Sequence, residues 1–169
     1  MAKVRRRTLS NAKGEQTAWI AAAALGAVLA FGTTAAHPAE KHHDLHLVIK
    51  TIDHSQQRYP TVGDWQIDKA GNLHITVSKM SRRDFEIGVA LHELVEAILC
   101  AHAGITPGMV DKFDVEYEAK RRPGDKSEPG DSKYAPYRKQ HLFAEKIEHM
   151  VMSEMGVDWR QYTKELEDK

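Results

Sequence analysis

The chain has 169 residues, enough for one domain with a buried core. Its 24 lysines and arginines balance its 24 aspartates and glutamates, which excludes both a basic nucleic-acid-coating surface and a strongly acidic disordered chain. Cys100 is the only cysteine, so neither an intramolecular disulfide nor a thiolate metal cluster can form.

Residues 1–36 open with Lys3, Arg5, Arg6, Arg7 and Lys13. They continue through the uncharged run from Ala18 to Phe31 and leave through Gly32-Thr33-Thr34-Ala35-Ala36. A basic start, an apolar stretch and a small-residue exit predict a secretory signal peptide. An uncleaved N-terminal anchor is the second reading, because the run reaches the ~20 residues of a membrane span only with its tail counted. A buried Ala-rich helix is the third. Either of the first two exports the rest of the chain across the cytoplasmic membrane, to the periplasmic or extracellular side, with membrane contact confined to this segment. Residues 37–44 are polar, and the histidines His37, His42, His43 and His46 read as a solvated linker rather than a metal trap. The domain proper is expected over residues 45–169.

Leu47-Val48-Ile49-Lys50-Thr51-Ile52 predicts a strand. Trp65-Gln66-Ile67 and Leu73-His74-Ile75-Thr76-Val77 alternate on either side of a Gly-Asn turn, which predicts a hairpin. Ser81 is expected to cap a helix running from about Arg82 to His102 and stopped by Gly104. Thr106-Pro107 restarts a helix that ends near Arg122-Pro123-Gly124. Residues 122–135 form a long loop. Ala135-Pro136 opens a further helix to about Met155, stopped at Gly156, and a short segment with Trp159 and Tyr162 closes the chain. Strands followed by three or four helices predict an α+β fold with a small antiparallel sheet.

The chemistry concentrates in His92-Glu93-Leu94-Val95-Glu96. Residues four apart share a helix face, so His92 and Glu96 can hold one ion. Glu93 lies about 100° round from His92 and can reach a water beside that ion. The flanks Ala90-Leu91, Leu94-Val95 and Ala97 to Cys100 are apolar on most sides, which predicts a buried helix. Buried histidine and glutamate need partners or a metal. Cys100 itself reads as core.

The motif resembles that of the zincins, the His-Glu-x-x-His metalloproteases, with Glu96 in place of their second histidine. The resemblance covers about residues 73–149 and implies a minimal zincin-like fold, a zinc ion and hydrolysis of a peptide or protein substrate. It assigns Glu93 as general base. It also implies a third ligand from a downstream helix, where His141 would return the missing imidazole. Glu145, one turn on, is the alternative third ligand or an acceptor orienting His141, and Asp111 and Asp114 could serve similarly. More carboxylates in the centre would favour manganese or iron. The alternative to a hydrolase is a non-catalytic, structural or sensory metal-binding domain of an envelope or phage-derived assembly. A metal-free interaction module built on the same polar seam is the third reading.

A wider stretch, about residues 58–162, is similar to small phage and bacterial proteins. The carrying residues are Arg58 to Trp65, Leu91 to Ala97, Glu128-Pro129-Gly130-Asp131 and Ala135-Pro136-Tyr137. That likeness implies only that these pieces occur together.

Overall fold

The structure is a computed structural model and describes residues 46–169. The signal or anchor expected in residues 1–36 and the linker at 37–44 lie outside the described residues. Among the described residues no helix is long and apolar enough to cross a membrane.

Strands β1 (Leu47–Ile52), β2 (Gly63–Ile67) and β3 (Leu73–Ser78) form one sheet in the order β1-β3-β2. The expected hairpin is present: β2 and β3 run antiparallel, with Trp65 opposite Ile75 and Ile67 opposite Leu73. Asp68 closes its turn by accepting from the backbone N–H of Ala70 and of Asn72, at 2.8 and 2.9 Å.

The sheet differs from the expected antiparallel one in its third strand. β1 pairs with β3 in parallel, from Leu47 opposite Leu73 to Ile52 opposite Ser78, so the sheet is mixed. The reason lies in burial. β3 buries Leu73, Ile75 and Val77 and takes the centre, whereas β1 leaves Leu47 and Ile49 exposed and takes an edge.

Four helices follow: α1 (Arg83–His102), α2 (Pro107–Glu118), α3 (Arg138–Glu154) and α4 (Trp159–Glu167). The N-cap of α1 is Arg82 rather than Ser81. The backbone N–H of Ser81 donates 2.6 Å to Glu165 of α4, and its hydroxyl donates to the same carboxylate, so its polar groups are taken by tertiary contacts. Past the end of α1, Gly104 adopts φ 73°, the left-handed conformation that a residue with a β-carbon disfavours. Thr106 and Pro107 start α2 as expected, but α2 stops at Glu118. There Arg121 turns back onto the Glu118 carboxylate and onto the carbonyls of Asp125 and Ser127. The terminal segment is a helix because the Asp158 carboxylate accepts from the N–H of Arg160 and Gln161 at its start.

α1 packs against β2, β3 and α3. Phe85, Cys100, Ile75, Val77, Met152 and Tyr162 are fully buried in the core, each apolar ring or branch contributing about 1.5–3 kcal/mol. The expectation of a helix buried all round is corrected here. Ile87 and Ile98 are 45% and 54% exposed, because a three-stranded sheet and one partner helix cover only part of the α1 surface.

Candidate metal centre

α1 and α3 carry polar side chains on the faces they bury. On α3 the buried positions are His141, Ala144, Glu148 and Met152, a stripe at helical spacing with two polar members. On α1 the partners are His92 and Glu96, one turn apart. Three atoms converge between the helices. His92 Nε2 lies 3.1 Å from His141 Nδ1, His141 Nδ1 lies 3.0 Å from Glu96 Oε2, and His92 Nε2 lies 3.5 Å from Glu96 Oε2.

Those separations fit a cation. The circle through the three atoms has a radius of about 1.9 Å, just inside a zinc bond of about 2.0–2.1 Å, so one ion can touch all three from slightly above their plane. In their metal-binding forms all three atoms present lone pairs. Such atoms stay this close only with a proton or a cation among them.

His92 and Glu96 have their second polar atom hydrogen-bonded elsewhere, and His141 has a carboxylate near its own. His92 Nδ1 lies 3.0 Å from Glu148 Oε2, and the Tyr162 hydroxyl donates to the other oxygen of Glu148. The indole N–H of Trp65 donates to Glu96 Oε1 at 3.0 Å. Glu128 Oε2 lies 3.5 Å from His141 Nε2. The Glu148 carboxylate on the far nitrogen of His92 favours the tautomer that leaves its near nitrogen free to bind.

The electrostatics separate the two α1 carboxyls. Burial works to raise Glu96, but hydrogen bonding from His141 and His92 brings it down to about 2, so it is ionised. Burial pushes Glu93 well above the usual carboxylate range, and the neighbouring Glu96 charge adds to this. Burial works to lower His92, but Glu148 and Glu96 outweigh it and hold the imidazole above its ordinary value.

Two glycines admit these side chains. A β-carbon at Gly130 would run into the His141 ring, and one at Gly63 would meet the Glu93 carboxyl and Val89. The 3-10 turn Pro129–Asp131 therefore lies directly on the imidazole. Gly130→Ala is expected to displace His141 and, with the cluster read as a zinc site, to weaken zinc binding about 10–100-fold, the range for losing a ligand-orienting contact. Competition with a chelating dye measures it, and unchanged affinity would contradict the contact.

Glu145 is placed differently. It is exposed and lies outside the three-atom cluster, although it lines the same cleft. Asp111 is held by Arg58, at 2.8 and 3.0 Å, and Arg58 also clamps the buried Asp64. Trp65 and Tyr162 read from the sequence as core or lid residues and Glu148 as part of a polar stripe with Glu145 and His149; the structure sets them, with Glu128, against the cluster. Glu148, seven residues after His141 and so on the same face, is the stripe member that the helix turns inward.

Asp114 is buried between the hydroxyls of Tyr59 and Tyr137, both of which donate to it. Burial, opposed in part by Tyr137, raises its carboxyl from 3.8 to about 7. The folded protein therefore keeps this proton to a higher pH than the unfolded chain does. The resulting stability is full below pH 4, is lost as pH rises to about 7, and stays flat above. Asp114→Asn is expected to gain on the wild type by up to about 4 kcal/mol between pH 4 and pH 8, read from urea unfolding. An equal offset at both pH values would refute this.

The cluster opens into a cleft of about 520 Å³. Its walls include Tyr59, Val62, Glu93, Asp114, Glu128 and Trp159. Comparison with protein-family models, with curated proteins and with solved structures finds no match.

Proposed function

We propose that this protein is a zinc-dependent hydrolase of peptide bonds, with His92, Glu96 and His141 as ligands and Glu93 as general base. The observation that carries this is the convergence of His92 Nε2, Glu96 Oε2 and His141 Nδ1 at 3.0–3.5 Å from one another. Two neutral imidazoles and one carboxylate suit zinc better than harder ions, and they leave a fourth position open. Bound there, zinc would polarise a substrate carbonyl and bring the pKa of water to near neutrality.

The chain supplies the rest. Among the described residues none hydrogen-bonds the Glu93 carboxyl, which faces the cleft beside His92. It is free to take a proton from the attacking water and return it to the leaving amine. Glu148 and Trp65 hold His92 and Glu96 still while this happens. The cleft volume falls within the usual range for substrate pockets, about 300–1,000 Å³.

The test is metal analysis of the purified full chain together with cleavage of a quenched fluorescent peptide library. About one zinc per chain is expected, with cleavage abolished by a chelator and restored by zinc. A chain that neither carries nor takes up zinc would end the proposal. Zinc uptake without cleavage of any library member would leave the non-catalytic metal-binding reading in its place.

A further inference from the structure

We infer that Trp65 keeps Glu96 a one-oxygen ligand, which holds the centre at four-coordination and selects zinc against cations that demand more oxygens. This rests on reading the cluster as a metal site. The indole N–H donates to Glu96 Oε1 at 3.0 Å, while Oε2 faces the two imidazoles. The tryptophan is 3% exposed and the glutamate 4%, so no solvent stands ready to replace either partner.

An indole nitrogen is a donor only, so it can satisfy Oε1 but cannot itself bind a cation. Its position is fixed twice over. The backbone of Trp65 is locked in β2 opposite Ile75, and its ring is part of the core. For Glu96 to chelate through both oxygens, the carboxylate would have to turn Oε1 from the indole toward the imidazoles, which strains or breaks a buried hydrogen bond. One-oxygen binding with two imidazoles gives three protein donors and one open position, which is the arrangement of catalytic zinc. Calcium takes six to eight oxygens and manganese favours six, so both lose a ligand they would otherwise recruit from Glu96. Trp65 acts through Glu96 and is a positioning residue.

Cobalt(II) reads this directly, because its visible bands are intense when four-coordinate and faint when five- or six-coordinate. The full chain and Trp65→Phe are each titrated with cobalt and then competed with zinc and with manganese. The wild type is expected to give the intense four-coordinate spectrum at one equivalent. Trp65→Phe is expected to give a paler spectrum of higher coordination, and its preference for zinc over manganese should fall at least tenfold. Identical spectra for the two proteins, or a pale wild type, would overturn the inference. Should Trp65→Phe not fold, zinc K-edge absorption on the wild type decides. Four light-atom ligands support the one-oxygen mode, and five or more overturn it. A wild type that binds no cobalt at all would overturn the metal site itself, a result separate from every cobalt-bound outcome.

Discussion

Glu93→Gln is expected to slow peptide cleavage by about a thousandfold, the middle of the range for removing a general base, with zinc still bound. Glutamine has the shape of glutamate, so the fit against Gly63 and Val89 is kept. None of the three converging atoms belongs to Glu93, so the ligand set is untouched. What the proposed mechanism loses is the lone pair that would accept the proton of the attacking water.

The same change should make the zinc-free protein more stable at neutral pH. The Glu93 carboxyl is buried beside the Glu96 charge, and both raise the energy of its ionised form. Its folded pKa is raised, so its contribution to stability is lost as pH rises, and an uncharged amide avoids that loss. The paired readout is kcat on a cleaved peptide and the melting temperature in chelator. Cleavage within threefold of wild type would remove Glu93 from the chemistry. Cleavage lost together with zinc would point to a ligand instead of a base.

His141→Ala is expected to weaken zinc binding by more than a hundredfold, beyond the 10–100-fold typical of residues that only orient a ligand. Saturating zinc stabilises a folded protein by about 2.7 kcal/mol at a hundredfold excess over Kd. For a domain of this size that is a melting shift of roughly 10 °C. Wild type should show the shift and His141→Ala should not. The zinc-free variant should also melt lower than zinc-free wild type. His141 is the nearest partner of the ionised Glu96 Oε2, at 3.0 Å, and breaking a buried pair costs about 3–5 kcal/mol. The Trp65 N–H stays on the other oxygen and limits that cost. A normal zinc shift in His141→Ala would exclude it as a ligand.

Both expectations concern residues whose legibility in the sequence differed. His92, Glu93 and Glu96 could be placed on one stretch of helix from spacing alone, because helical geometry is local. His141 sits 45 residues after Glu96, and no local pattern joins them. Only the antiparallel packing of α1 on α3 brings Nδ1 to Oε2. Glu145 and Glu148 follow His141 by one and two turns, so spacing alone does not separate them. Packing distinguishes them: the α3 stripe that buries Ala144 and Met152 carries Glu148 inward and leaves Glu145 in solvent.

The motif with which the chemistry begins was thus only half specified by itself. The sequence determined what local physics controls: the hairpin from its alternation, the Thr106-Pro107 helix start, the Gly104 stop, and the adjacency of His92, Glu93 and Glu96. The tertiary structure decided whatever depends on which surfaces meet. It put β1 parallel to β3 at the sheet edge, where Leu47 and Ile49 stay exposed although β1 is the more apolar strand by composition. It drew Ser81 away from its capping role to Glu165. It also supplied Trp65 and Glu148 as hydrogen-bond partners from β2 and α3, because a buried polar atom must find its hydrogen bond wherever packing places one, and it brought Glu128 of the loop within 3.5 Å of His141.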